Sequence, residues 1–151
     1  MVKHFSDSVT SWLTERRALD EIFNPNSDAT RLTVVVVYNH SSTTLFLVDT
    51  NFDSGGFTPG MASPAQIDPS TTIAYRVESH GVATGVTGAH IRYGTAPGDQ
   101  IEVVLDINTS NPYAGDNHSE VQAFSGFSVT KTDSVGNSNQ VDVDVFAPAA
   151  T

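Results

Sequence analysis

Cysteine is absent from the 151 residues, so the chain has no disulfide framework, no thiolate zinc site and no thiol nucleophile. Basic residues are scarce as well: seven Lys and Arg against seventeen Asp and Glu give a formal charge of −10. Such a surface repels nucleic-acid phosphates and opposes anionic lipid by about 1 kcal/mol for each charge near the surface. A nucleic-acid partner is thereby excluded, and a membrane partner should be zwitterionic or sugar-coated. Long apolar runs are missing too. The run Val34 to Val37 is far too short to span a bilayer, and the N-terminus lacks the continuous apolar region of a signal peptide, so the chain as given reads as soluble.

What is present is enough for one compact domain over residues 1–151, a length that buries roughly two thirds of the extended surface without metals or disulfides. Residues 5–23 carry the one clear helical period: Phe5, Val9, Trp12, Leu13, Leu19, Ile22 and Phe23 fall near one face, with Asp7, Glu15, Arg16, Asp20 and Glu21 elsewhere. Ser6 or Ser8 caps its start, and Asn24-Pro25 stops it. From about residue 31 to 147 the period is two. Strands are expected near Leu32–Tyr38, Thr43–Val48, Thr71–Val77, Val86–Tyr93, Gln100–Ile107, Glu120–Phe124, Phe127–Thr130 and Gln140–Phe146, with turn residues between them. The fold class is therefore mainly β, a sandwich of about eight to ten strands behind an N-terminal amphipathic helix. In the last strand Val141, Val143 and Val145 face one way and Asp142 and Asp144 the other. The loop from Asn51 to Pro69 is long enough either to bind a ligand or to cover exposed sheet.

Chemistry of the catalytic kind is not signalled. The five histidines, His4, His40, His80, His90 and His118, have no metal-ligand spacing, and no Gly-x-Ser-x-Gly elbow accompanies the serines and aspartates. No enzyme activity, metal or cofactor is expected. Gly81, Gly85 and Gly88 lack the strand-turn-helix setting and lysine of a nucleotide loop, so they read as backbone devices: a bulge, a positive φ, or close approach of a ligand to the main chain. Asn39, Asn108 and Asn117 stand in glycosylation sequons.

The order of several short motifs resembles the actinoporins, the cysteine-free pore-forming cytolysins of sea anemones and their relatives. Those motifs are the N-terminal amphipathic helix, Tyr38-Asn39-His40-Ser41, Thr50 to Gly55, Val82 to Gly88 leading to Tyr93, and Ser110-Asn111-Pro112-Tyr113, covering residues 5 to about 124. The resemblance implies a β-sandwich flanked by helices that holds a phosphocholine head group. By motif, Ser54, Thr87 in the place of a valine, Ser110, Pro112 and Tyr113 would form that pocket, hydroxyls meeting phosphate and the aromatic ring meeting a quaternary ammonium. Three departures stand out: Asp53 where a basic residue is usual, Ala114 to His118 where tyrosines and tryptophans cluster, and no counterpart to the second helix between Ser125 and Gln140.

In the family the helix detaches, inserts and oligomerises. Residues 5–23 reach about 28 Å as a helix, close to the hydrocarbon thickness, and Phe5, Val9, Trp12 and Leu13 would face lipid. Arg16, Arg17, Asp20 and Glu21 would each cost several kcal/mol in a lone span, whereas within a homo-oligomer they would line a wet pore; the equally weighted alternative is a helix packed permanently on the sandwich through the same apolar stripe. The reading is thus a soluble, secreted or released, actinoporin-like cytolysin that binds a zwitterionic, phosphocholine-type membrane lipid or a glycan and lyses cells. The alternative is a lectin on the same fold, as in fungal fruit-body lectins, with Ser54, Thr87 and His90 around a sugar and the helix structural. A non-binding structural protein is the third class.

Overall fold

The computed structural model describes residues 31–80, 84–96, 102–134 and 136–148. The helix expected over residues 5–23, with Phe5, Val9, Trp12 and Leu13, lies outside them. The described residues form ten strands: β1 (Leu32–Asn39), β2 (Leu45–Asn51), β3 (Gly56–Phe57), β4 (Gln66–Ile67), β5 (Thr72–Glu78), β6 (Val86–Gly94), β7 (Val103–Asn111), β8 (His118–Ala123), β9 (Ser128–Asp133) and β10 (Ser138–Phe146). They build two five-stranded sheets, ordered β3-β5-β1-β10-β9 and β4-β2-β6-β7-β8.

Alternation decides which side chains meet between the sheets. In the first sheet β1 runs parallel to β10 and antiparallel to β5, which sets Val35 beside Tyr75 and Val141, and Val37 beside Ile73 and Val143. From the second sheet Ala89, Ile91, Tyr93, Leu105 and Ile107 complete one buried cluster with them. Asp142 and Asp144 point away from it, as the period of two requires.

The four consecutive valines Val34 to Val37 are buried on both sides of the sheet. Leu32, Val34, Val36 and Ala74 occupy the face turned away from the core, together with the Arg76–Glu78 ion pair (3.4 Å), yet all six are at most 9% exposed. No described strand lies over that face.

The long loop after β2 covers sheet edges. It carries β3, which pairs with β5 in the first sheet, and then β4, which pairs with β2 in the second. Between them Thr58 N donates to Arg76 O and Arg76 N to Met61 O at the β5 edge, and Leu47 N donates to Ala65 O at the β2 edge, so both edges gain partners for their open backbone groups. Phe52, Phe57 and Tyr75 stack edge to face behind the loop, and the Tyr93 hydroxyl donates to Pro64 O at 2.8 Å.

Asn39 anchors the far end of β1. Its buried Nδ2 donates to the carbonyls of Thr43, Ile67 and Asp68, and its Oδ1 accepts from the Ser41 backbone and hydroxyl. The first of the three sequons is therefore an interior knot.

Candidate functional site

The site is assembled where β6 begins, and glycine makes it possible. Between the pairs Val86–Asn111 and Ala89–Thr109 the register slips, which leaves Thr87 and Gly88 together opposite Ser110. This is a β-bulge, and Gly88 sits in it at φ 58° with the Asp53 carboxylate in the space a side chain would fill. The bulge turns Thr87 out to meet the chain entering the long loop. Ser54 and Thr87 exchange backbone hydrogen bonds (3.2 and 3.1 Å), and their hydroxyls are 2.8 Å apart. Ser54 Oγ also donates to Gly85 O at 3.2 Å.

Gly85 carries the assembly across to the next segment. A Cβ on it would lie 2.7 Å from Pro112 Cα and from Tyr113 N, so the backbones of the two segments touch. Ser54, Thr87, Pro112 and Tyr113 thus converge at one end of the sandwich. Ser110 lies one step back on β7, opposite the bulge and half-buried, without a hydrogen bond to the Ser54–Thr87 pair among the described contacts.

Tyr113 is 51% exposed, and its ring already has a cation: the Arg31 guanidinium stands 5.0 Å from the centroid while Nη2 donates to Tyr113 O at 2.7 Å. Arg31 also lines an open cavity of about 480 Å³ with Asn111, Gly115, Asp116, Asn117, Gly136 and Asn137. That is within the usual range of small-molecule sites. Two asparagines organise it. Asn111 Nδ2 ties the Leu32 and Asn137 carbonyls at 3.0 Å each, and Asn117 Oδ1 accepts from Gly136 N at 2.7 Å. The Asn117 Nδ2 is shielded from solvent and has no hydrogen-bond partner, a donor on the cavity wall.

The end as a whole offers two adjacent hydroxyls, a guanidinium, an amide donor and the carboxylates Asp53 and Asp116. Such a mixture suits a group that carries both signs of charge. Arg31 had no signal in the linear sequence, because it lies 82 residues from the Tyr113 it touches, and nothing in the sequence placed Asp53 or Asn117 as members of this end.

No protein-family model matches the chain, and no curated protein matches it. Solved structures do. The lipid binding protein Nakanori superposes with a TM-score of 0.65 at 15% identity, over 92% of this chain and 81% of that one. IP-1A from Alcaligenes faecalis gives 0.59 at 14% identity, over 87% and 99%. The RahU protein, solved in complex with a TRIS molecule, gives 0.61 at 11% identity, over 82% and 99%. At such identities the likeness establishes the fold. The chain shares the two-sheet β-sandwich architecture of these three structures.

Proposed function

We propose that the protein binds the head group of a zwitterionic, phosphocholine-type lipid at the Ser54–Thr87 end of the sandwich. The observation that carries this reading is the 2.8 Å hydroxyl pair standing beside the Gly85–Pro112–Tyr113 contact and the Arg31 cavity. Arg31 and Asn117 are donors for phosphate oxygens, and the Ser54 and Thr87 hydroxyls, whose protons serve Gly85 O and each other, would turn outward to join them, with Asp53 and Asp116 at the same end for the ammonium. Nakanori, a lipid binding protein, supports the same class of ligand.

Tyr113 has a smaller part than the family pattern implies. A cation on the ring face opposite Arg31 would stand roughly 10 Å from the guanidinium, where repulsion in water is about 0.4 kcal/mol. An exposed cation–π contact yields about 0.5–1 kcal/mol, so repulsion leaves a net gain of only about 0.1–0.6 kcal/mol and the phosphate side dominates recognition.

Pore formation by residues 5–23 extends the proposal. The outer face of the first sheet is buried although no described strand covers it, which suits a segment that shields Leu32, Val34, Val36 and Ala74 before membrane contact. Insertion and homo-oligomerisation would follow its release. Flotation with phosphatidylcholine vesicles, with and without sphingomyelin, tests the lipid reading, and dye release by the full chain and by a chain lacking residues 1–24 tests the pore. Binding with leakage only for the full chain supports both steps. Binding without leakage by either leaves a lipid-binding module, and absence of binding sinks the proposal.

A further inference from the structure

The outward face of the second sheet is polar in register. Across β6, β7 and β8 the pairings align His90 with Asn108 and Glu120, and Arg92 with Asp106 and Gln122. Residues opposite one another share a face, so these six side chains form two cross-strand rows, while Ile91, Ile107 and Val121 between them point to the core. Five of the six, His90, Asp106, Asn108, Glu120 and Gln122, line a pocket of about 100 Å³. That volume is about three water molecules, enough for a pair of neighbouring hydroxyl groups.

Internal hydrogen bonds define what the pocket lacks. Asp106 Oδ1 accepts from His90 Nδ1 at 3.1 Å, and Oδ2 faces Arg92 Nε at 3.4 Å. Arg92 is held further by Asp49 at 3.2 Å. Gln122 Nε2 donates to Glu120 Oε1 at 3.2 Å. With its Nδ1 proton directed at Asp106, neutral His90 presents Nε2 as an acceptor. Asn108 Oδ1 is shielded from solvent and has no hydrogen-bond partner. The pocket therefore has spare acceptors, at His90, Asn108 and Glu120, and its nearest cation is engaged by two carboxylates. A shielded carbonyl without a donor is costly, and a donating ligand relieves that cost.

We propose that this face is a second ligand site, separate from the Ser54–Thr87 end, that takes the vicinal hydroxyls of a neutral saccharide between His90, Asn108 and Glu120. Hydroxyls supply donors without negative charge, whereas carboxylated or sulfated sugars would meet Glu120 and Asp106. The saccharide belongs either to a soluble glycan or to a glycolipid head group. The site does not depend on the lipid reading above.

Calorimetric titration with methyl β-galactoside, methyl α-mannoside and N-acetylglucosamine, with ethanolamine as a cationic probe and 3′-sialyllactose as an anionic one, tests it. At least one neutral sugar should bind. Glu120→Ala, at a solvent-facing position, and Asn108→Leu, which removes the acceptor while keeping bulk, should each weaken that sugar by about tenfold. Phe146→Ala, on the other sheet, should leave it unchanged. Vesicles of phosphatidylcholine with and without galactosylceramide separate the sources: capture only with galactosylceramide, reversed by methyl β-galactoside, identifies a glycolipid, and sugar binding without such capture a soluble glycan. Failure of every neutral sugar, binding of ethanolamine alone, or sugar binding insensitive to Glu120→Ala in a folded variant would overturn the site.

Discussion

Gly85→Ala probes how the end of the sandwich is put together. Its Cβ would stand 2.7 Å from Pro112 Cα and Tyr113 N and 2.8 Å from Asn111 O, where ordinary contact begins at 3.4 Å. The neighbours are all backbone, so no rotamer change relieves the clash and the two segments must part by about 0.7 Å. Forced overpacking of this kind costs about 1–3 kcal/mol. For a domain near this length about 1 kcal/mol corresponds to about 2–4 °C, so Tm should fall by between about 2 and about 12 °C. Separation of Pro112 and Tyr113 from Ser54 and Thr87 also exceeds the roughly 0.5 Å tolerance of a preorganised site, and vesicle affinity should drop by about tenfold. Gly60→Ala is the control. Gly60 has φ 78° but nothing within 4 Å of an added Cβ, so it should lose about 1 kcal/mol from backbone strain and keep its vesicle affinity. Scanning calorimetry and flotation on both variants decide the matter. A Gly85→Ala protein with wild-type Tm and wild-type binding refutes the argument that this close approach builds the site.

Asn39→Ala removes a buried amide that serves three carbonyls and should cost about 3 kcal/mol in urea denaturation; a loss below about 1 kcal/mol would show the knot to be dispensable. Burial first, and then Asp142 and Asp144, push the Tyr38 hydroxyl up to about 12 from 10.0. Its folded value is raised, so the associated stability is fully present below pH 10 and is lost as pH rises toward 12, which ultraviolet titration of wild type against Tyr38→Phe should reveal as a missing late step. The Ser119 hydrogen bond, followed by Lys131, lowers the Asp133 carboxyl below its usual 3.8. The sign is opposite: that contribution is present above the unfolded value and lost as pH falls through the folded one. Because Asp133 is largely solvent-screened, Ser119→Ala should shift acid unfolding only slightly upward in pH, and a downward shift would contradict the assignment.

The eight longer strands were legible because their β-branched residues alternate or run continuously between turn residues. Val141, Val143 and Val145 against Asp142 and Asp144 are the clearest case, and the structure buries them as the pattern demands. β3 and β4 were not legible. Gly56–Phe57 and Gln66–Ile67 are two residues each, too short to show any period, and they exist because partner edges on β5 and β2 were available. The glycine-rich start of β6 announced a backbone device, and it proved to be a bulge at Thr87–Gly88 with a close approach at Gly85. Ser54, Thr87, Pro112 and Tyr113 could be named from motif order, and the fold brings them to one end. Their electrostatic setting could not. Arg31 over Tyr113, Asp53 against Gly88 and the shielded Asn117 amide depend on contacts between distant segments that leave no local pattern.

A phosphocholine group bound at the Ser54–Thr87 end would perturb the backbone amides around it. Titration of free phosphocholine into isotope-labelled protein, followed residue by residue through backbone amide shifts, tests it most directly. Saturable shifts are expected at Ser54, Gly85, Thr87, Tyr113 and Asn117, weakened in Ser54→Ala combined with Thr87→Val. Absence of saturable shifts, or shifts confined to the opposite end around Phe124 and Phe146, would contradict binding there.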